Sequence, residues 1–327
     1  MVFIMVSNSL KFNRNKYNGN FAIIFLKSLN FANIFLVVFM KESKWIILAV
    51  LAIVWGSSFI LIKKGLNGLN PIELGSVRMI SASVVMLLLK GKHVASIPKN
   101  KYKYVAASAL FGIFFPAFLF AYAQTEIDST ISSIINATTP LFTLVIGALF
   151  FKLISQKRQF FGVFIGLVGC ILLILTGSSI HPEQNYWYAL LAVVACVLYA
   201  ININWVKKFL SDLRPVQIAM GNFAFLLIPA SLILFTTDFF SHISTPETQT
   251  AVLYTVILGI CSTGLASLFF YRLILISSPV FASSTTYLIP LVAFGWGILD
   301  HESVHFAQVI GALVILVGVY FSGKKNQ

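Results

Sequence analysis

Long apolar runs, separated by short polar connections, organise this chain of 327 residues. A helix needs roughly 20 predominantly apolar residues to cross the hydrocarbon core of a bilayer. Because a backbone exposed to lipid must satisfy its polar groups internally, each run of about that length is predicted to be a transmembrane helix. The predicted spans are residues 45–62, 72–89, 104–123, 130–151, 159–176, 186–206, 216–235, 250–271, 281–299 and 305–322.

The apolar runs belong to one unit that the chain carries twice. The pattern Lys-Lys-x-Leu-x-x-Leu-x-Pro occurs at residues 63–71 and again at 207–215. Pro140 and Pro290 are a second matched pair, near the middle of the fourth and ninth runs. Duplicated units with matched, interrupted helices are typical of secondary transporters. The predicted fold is therefore an all-α integral membrane protein with ten transmembrane helices in two five-helix repeats, at residues 40–180 and 181–327.

Composition excludes several classes of protein. Only 10% of the residues are charged and the mean hydropathy is +0.91, whereas globular domains average about 25% charged residues. A soluble enzyme is thereby excluded. The net charge of +13 lies mostly in the connections between apolar runs, so no nucleic-acid partner is expected. The three cysteines lie inside apolar runs at unrelated spacings, which favours buried thiols over disulfides or a metal cluster.

The placement of basic residues predicts the orientation in the membrane. Five lysines lie between the second and third runs, and two lysines and an arginine lie between the fourth and fifth. Cytoplasmic loops carry such an excess of basic residues, so both termini are predicted to be cytoplasmic. Five helices per repeat is an odd number. The second copy therefore enters the membrane inverted, and the two Lys-Lys pairs face opposite sides.

Residues 1–39 lie outside the repeat and are predicted to be a leader that is not part of the fold. Their one apolar run, residues 21–39, is interrupted by polar residues. A basic segment that is typical of the start of a first span begins at Met40, so we expect translation to begin there. A cleaved signal peptide is the alternative, which the interrupted run and the lack of an Ala-x-Ala site disfavour.

Proline and polar residues predict two broken helices. Proline removes a backbone donor and clashes with the carbonyl four residues earlier, so breaks are expected at Pro140 and Pro290. Hydroxyl and amide residues precede each proline. They can satisfy the freed backbone groups or line a water-filled cavity. Their recurrence at corresponding depth in both copies favours the cavity.

Arg78 is the only charge well inside a predicted span. A charge at that depth costs about 2.5 kcal/mol or more unless it meets a partner or water. Two interpretations remain open. Arg78 caps helix carbonyls or pairs with an acidic residue such as Glu73, or it binds a carboxylate or phosphate of a substrate. Its counterpart in the second repeat is Asn222, so the position is polar in both copies.

Aromatic residues near the middle of the spans complete the candidate cavity. Trp55 and Tyr199 are repeat equivalents and lie away from the interfaces, where such residues usually act as anchors. No catalytic, metal-binding or cofactor-binding residue is predicted. The predicted lining of the substrate cavity is Trp55, Arg78, Asn136, Thr139, Tyr199, Asn222, Thr286 and Tyr287, with Pro140 and Pro290 shaping the broken helices.

One motif points to a different class of protein. His301-Glu302-x-x-His305 matches the zinc-protease signature, in which two histidines on one helix face bind zinc and the glutamate is the base. The motif lies in a short connection, no third ligand is evident, and the other repeat has Phe151-Lys152 there. A membrane zinc metalloprotease is therefore the less favoured alternative.

A set of short motifs extends over residues 43–322: Trp55-Gly56-Ser57-Ser58-Phe59, Pro71 followed by Arg78, the hydroxyl-rich runs before Pro140 and Pro290, and Glu302 followed by Gln308, Gly311 and Gly318. Together they resemble the EamA-type family of the drug/metabolite transporter superfamily. The resemblance implies an inner-membrane carrier with inverted repeats and cytoplasmic termini that exports amino acids or other small metabolites. Lys152 departs from the family, whose members often carry an acidic residue there.

The sequence therefore predicts a secondary transporter, not an enzyme, that moves a small-molecule substrate across the lipid bilayer of the inner membrane by alternating access. A passive channel is a further alternative. No acidic residue lies deep in a predicted span, so the coupling ion stays open. The substrate and the oligomeric state, for which a homodimer is one option, also stay open.

Overall fold

The computed structural model describes residues 43–127, 129–153, 157–177 and 186–299, and seven residues between 310 and 321. Regular structure within these residues is helical throughout. The helices used below are, in chain order, α1 Lys44–Gly65, α2 Pro71–Ser96, α3 Lys99–Ala123, α4 Ser129–Asn136, α5 Thr139–Phe151, α6 Lys157–Gly177, α7 Ala189–Phe209, α8 Pro215–Phe235, α9 Pro246–Ile276, α10 Pro279–Ser283 and α11 Thr285–Leu299.

Helices α1, α2, α3, α7, α8 and α9 are each long and apolar enough to cross a membrane. The predicted all-helical membrane fold is thereby confirmed. The fourth predicted span is divided between α4 and α5, and the ninth between α10 and α11. The tenth, residues 305–322, lies mostly outside the described residues. The count of ten spans accordingly stays a prediction.

The duplicated Lys-Lys-x-Leu-x-x-Leu-x-Pro segment is a helix end, a turn and a new helix start. In the first copy, the Asn70 side chain accepts hydrogen bonds from the N–H groups of Ile72 and Glu73 at 3.0 and 2.9 Å. The Glu73 carboxylate accepts the Asn70 N–H at 3.0 Å, which completes a capping box. Pro71 occupies the first turn of α2, where its missing N–H costs nothing. The motif therefore defines where α2 begins.

The two copies of this segment lie at opposite ends of the bundle. α2 starts at the first copy and ends at Ser96, whose carbonyl accepts a hydrogen bond at 2.8 Å from Gln217, just after the second copy. At the other end, Thr248 donates to the carbonyl of Gly68 at 3.2 Å. α1 and α7 therefore run in opposite directions, as inverted repeats require. We call these ends the Lys63 end and the Lys207 end.

Helices of the two repeats pack against each other in matched pairs. α1 packs on α11, and its repeat equivalent α7 packs on α5. α2 packs on its own equivalent, α8. A Cβ at Gly56 would lie 2.5 Å from the Cβ of Val292, so the backbone of α1 approaches α11 closely at mid-span. Because each of these helices packs on a helix of the other repeat, the interface between the repeats runs through the middle of the bundle.

Hydroxyl side chains accompany both helix breaks. Between α4 and α5, Thr138 and Thr139 donate to the carbonyls three residues earlier, both at 2.7 Å, and Pro140 lies in the first turn of α5. The other break is at Ser284, whereas Pro290 lies inside α11. The break expected at Pro290 is thus shifted towards the N-terminus. The physical reason for this shift is a run of four hydroxyl residues, 283–286. Their hydroxyls donate to the carbonyls three residues earlier at 2.7–3.0 Å and so compete with backbone N–H groups for these acceptors.

Candidate functional site

An internal cavity of about 80 Å³ lies between the two repeats. Helices α1, α2, α3, α4, α5, α7, α9 and α11 all contribute residues to its wall. At about 10–15 Å³ of such volume per water molecule, the cavity has room for roughly six waters or a solute of similar size. It lies where inverted-repeat carriers place their substrates, at the boundary between the repeats.

Most of the residues that the sequence pointed to meet in this cavity. Trp55, Arg78, Asn136, Thr139, Tyr199 and Thr286 line it. They come from six different helices, so only the folded bundle brings them together. Asn222, Tyr287, Pro140 and Pro290 are buried but do not line the cavity.

Asn222 and Tyr287 support the bundle from behind the cavity wall. The Asn222 amide lies 2.6 Å from the hydroxyl of Tyr271, which lines the cavity, and 3.2 Å from the hydroxyl of Ser108. With the amide oxygen towards both hydroxyls, its nitrogen donates to two backbone carbonyls at 3.0 and 3.1 Å. The Tyr287 hydroxyl donates to the carbonyl of Val163 at 2.8 Å and ties α11 to α6. These contacts satisfy both side chains structurally.

Arg78 is a buried cation in the cavity wall, with only 9% of its surface exposed. Its Nε donates to the hydroxyl of Thr263 at 2.6 Å. The suggested pairing with Glu73 does not occur, because that carboxylate binds the Asn70 N–H and lies 3.0 Å from Nε2 of His242. No carboxylate pairs with Arg78 anywhere in the described part of the chain. The guanidinium has five N–H donors, so most of its hydrogen-bonding capacity is left for another group.

Two π-helical segments, which the sequence did not predict, shape the cavity. They are Leu110–Phe114 in α3 and Leu258–Leu265 in α9, at equivalent positions of the two repeats. Such segments are rare and occur frequently at functional sites. The second supplies Thr263 to Arg78, and its Ser262 carbonyl accepts a hydrogen bond from Trp55 Nε1 at 2.8 Å. The first brings Gly112 against the side chain of Asn202.

Gly112 and Asn202 form a close contact in the cavity wall that was not among the predicted site residues. A Cβ at residue 112 would overlap the Asn202 amide, so only glycine fits there without movement. Asn202 is 3% exposed, and its Oδ1 has no hydrogen-bond partner among the described residues. A buried, unpaired oxygen of this kind costs about 1–3 kcal/mol. The polar residues that interrupt α7 were visible in the sequence, but the contact with Gly112 was not.

Aromatic rings form the apolar part of the wall. Trp55 packs edge-to-face against Phe270 with ring centroids 4.8 Å apart. Tyr199 stacks on Phe120 at 6.0 Å, and Phe120 also contacts Phe59 edge-to-face at 5.9 Å. The cavity thus combines an aromatic wall with one cation and several amides and hydroxyls. This combination suits a small solute that carries both an anionic group and an apolar group.

The zinc-protease motif lies outside the described residues, so its geometry is not part of this site. Within the described ranges, no group of three or more His, Cys, Asp or Glu side chains is arranged to hold a metal ion. Cys196 is buried and its sulfur lies 3.4 Å from the carbonyl oxygen of Ile135, which fits a packing role.

The apolar helices and the internal cavity between two repeats define a multi-pass membrane protein. The chain belongs to the EamA-like transporter family, whose model matches residues 43–175 and 186–323. The resemblance noted in the sequence is thereby confirmed. The two matched segments correspond to the two repeats seen in the bundle.

Individual relatives agree with this membership over most of the chain. An uncharacterised transporter of Archaeoglobus fulgidus is 26% identical over 86% of this chain and 99% of its own. The uncharacterised inner membrane transporter YedA of Escherichia coli K12 is 26% identical over 84% of this chain and 89% of its own. A probable amino-acid metabolite efflux pump of Salmonella typhimurium is 22% identical over 83% and 91%. A crystal structure with 16% identity covers 85% of this chain and 96% of its own with a TM-score of 0.65, which shows a shared fold.

Proposed function

We propose that this protein is a secondary transporter that carries a small carboxylate-bearing metabolite, with amino acids as the first candidates, through the cavity between its repeats by alternating access. The observation that carries the proposal is Arg78, a buried cation in the cavity wall with no carboxylate partner in the described residues. The proposal includes ten spans, cytoplasmic termini and export across the inner membrane. Lys101 and Lys207 at the Lys207 end support its cytoplasmic placement.

The energetics of Arg78 support an anionic substrate. A charge inside a span costs about 2.5 kcal/mol or more, and a single neutral hydroxyl is a weak compensation. A carboxylate can accept two parallel hydrogen bonds from a guanidinium, and such charge-assisted pairs are roughly twice as strong as neutral ones. Water can solvate Arg78 while the cavity is empty, and a substrate carboxylate can replace that water without leaving the cation unpaired.

The size and chemistry of the cavity support a small substrate. A volume of about 80 Å³ suits a molecule of roughly six to eight non-hydrogen atoms, such as alanine or threonine. The aromatic rings of Trp55 and Tyr199 offer a surface for an apolar side chain. The name of the Salmonella relative, a probable amino-acid metabolite efflux pump, agrees with this class of substrate.

Counterflow in proteoliposomes tests the proposal. Vesicles that contain the purified chain and a high concentration of unlabelled L-alanine or L-threonine are diluted into a trace of the same radiolabelled amino acid. A carrier accumulates the label transiently above its external concentration. A passive channel only equilibrates the label, so label that enters without exceeding its external concentration would favour the channel, and label that does not enter would contradict this substrate.

Variants of Arg78 separate transport from folding. Arg78→Asn introduces the residue that the second repeat carries at this position, and Arg78→Lys keeps the charge without the planar fork. We expect exchange to fall at least about tenfold in Arg78→Asn, the effect of losing one charge-assisted hydrogen bond, and less in Arg78→Lys. Arg214→Gln, in the connection at the Lys207 end, is the control. Wild-type exchange by the Arg78→Asn protein would contradict the proposed role. So would a loss of exchange that is fully explained by a loss of folded protein.

A further inference from the structure

Lys207 fastens one end of the bundle by binding the end of another helix. Its Nζ donates to the carbonyls of Ile274, Leu275 and Ser277 at 3.1, 3.0 and 2.7 Å. These carbonyls lie at the C-terminal end of α9, where a helix leaves carbonyls unsatisfied and where its dipole favours a cation. Lys207 belongs to the last turn of α7. The contact therefore links α7 to α9 at the Lys207 end of the bundle.

Lys63 is the repeat equivalent of Lys207, and it does not make the equivalent contact. Lys63 is exposed and lies in the last turn of α1. The helix equivalent to α9 is α3, which ends at Ala123 at the same end of the bundle as Lys63. No hydrogen bond between Lys63 and this helix end is present among the described residues.

The C-terminal end of α3 nevertheless has polar groups that could receive a lysine. Gln124 follows α3, and both its Nε2 and Oε1 are buried with no hydrogen-bond partner in the described part of the chain. Gln124 is 150 residues before Ile274, the spacing that also separates Pro140 from Pro290. An unsatisfied amide thus lies where the symmetry of the repeats would bring Lys63. Buried polar groups without partners are uncommon and call for an explanation.

We propose that Lys63 and Lys207 alternate as fasteners of the two ends. Lys207 binds the end of α9 in the conformation described here, and Lys63 binds the end of α3, at Gln124, in the opposite conformation, in which Lys207 is released. This inference rests on the proposed alternating access. Inverted repeats interconvert by rocking one repeat against the other, so a contact present once in one state is expected at its equivalent position in the other state.

The duplicated Lys-Lys pairs provide matched controls, because Lys64 and Lys208 neighbour the two lysines. The ammonium group of Lys208 lies over the rings of Phe151 and Phe209, both at 5.5 Å, and not at the end of α9. Lys64 is exposed beside Glu247 in a surface groove. Removing these charges changes the local charge by the same amount without touching the proposed contacts.

Access to the cavity from each side of the membrane measures the balance between the two conformations. Ser58, which lines the cavity, becomes the only cysteine in a chain whose native cysteines are replaced by alanine. A membrane-impermeant maleimide is applied to spheroplasts and, separately, to inside-out vesicles, and the ratio of the two labelling rates is recorded. The variants Lys207→Met, Lys63→Met, Lys208→Met and Lys64→Met are compared with this parent.

Substitutions of Lys207 and Lys63 are expected to shift the ratio of labelling rates in opposite directions. Lys207→Met should change the ratio about tenfold or more towards opening at the Lys207 end, the factor for losing one charge-assisted hydrogen bond. Lys63→Met should change it in the other direction, and the two neighbouring variants should leave it unchanged. Gln124→Leu should reproduce Lys63→Met without loss of folded protein, and the two changes together should not add.

The outcomes separate the inference from the function on which it rests. If the parent reacts from one side only and shows no counterflow, alternating access fails. If it reacts from both sides but Lys63→Met behaves like Lys64→Met, the exchange of lysines is wrong. If Lys207→Met behaves like Lys208→Met, the fastening of the Lys207 end is wrong as well. Lys207→Arg keeps the cation. It should show the parent ratio of labelling rates if the shift in Lys207→Met comes from loss of the contact with α9.

Discussion

Gly112→Ala is expected to damage the cavity wall through a single added methyl group. The new Cβ would overlap the Asn202 amide and lie 2.7 Å from its Cγ. Carbon atoms in contact are normally about 3.5–4.0 Å apart, so one of the two must move by about 0.8 Å or more. Asn202 is buried in the cavity wall, so its amide can yield only by displacing its neighbours or by entering the cavity. Overpacking of this kind costs about 1–3 kcal/mol.

Thermal unfolding of the purified chain in detergent measures this cost. For a chain of this length, 1 kcal/mol corresponds to a shift of roughly 2 °C in the unfolding temperature. We therefore expect Gly112→Ala to lower that temperature by roughly 2–6 °C. Counterflow of amino acids should fall as well, since the moved amide lies in the cavity wall.

A second substitution tests whether the clash itself is the cause. Asn202→Ala removes the amide that the new methyl group meets, so Gly112→Ala should cost little in that background. The double-mutant cycle should give a coupling of about 1–3 kcal/mol. Gly91→Ala is a matched control, because the nearest atom to its added Cβ is a Leu87 carbon at 3.6 Å. Wild-type stability of Gly112→Ala, or an equal loss in both backgrounds, would refute the reasoning.

Two further predictions concern the ends of helices. Lys152 has a φ of 53°, in the left-handed region that costs residues other than glycine about 1–2 kcal/mol. Lys152→Gly should therefore raise the unfolding temperature. Lys152→Val, which introduces a β-branched side chain, should lower it. Glu73→Gln removes a buried carboxylate that lies 3.0 Å from Nε2 of His242. The substitution should loosen the Lys63 end and speed amide hydrogen exchange around His242. Unchanged exchange would show that the Glu73–His242 pair does not hold this end.

The membrane setting explains why much of the fold could be predicted from the sequence. An apolar run of about 20 residues satisfies its backbone groups in lipid by forming a helix, so the apolar runs alone predict most of the helices. Pro71 and Pro215 begin their helices where proline is tolerated best. The repeat then predicts the antiparallel arrangement of α1 and α7. These inferences rest on rules that need no knowledge of side-chain packing.

The features that could not be predicted depend on packing between helices. Spans that are apolar on all sides carry little pattern to show which face meets the cavity, so Asn222 and Tyr287 could not be distinguished from Arg78 and Thr286. The π-helical segments have no local sequence signal. The break at Ser284 results from hydroxyl groups that compete for backbone carbonyls, an effect that the nearby Pro290 obscures in the sequence.

The position of Arg78 and Asn222 shows how a duplicated scaffold acquires a one-sided site. In each copy the polar residue of the second span reaches the third span of the other repeat: Arg78 binds Thr263, and Asn222 lies beside Ser108. The structural link is thus kept in both copies. The amide of Asn222 finds partners for all its polar groups, but the larger guanidinium of Arg78 retains donors beyond the link. Arg78→Asn should therefore preserve the packing that both repeats share and remove only the capacity to bind an anion, which is why it distinguishes a structural arginine from a substrate-binding one.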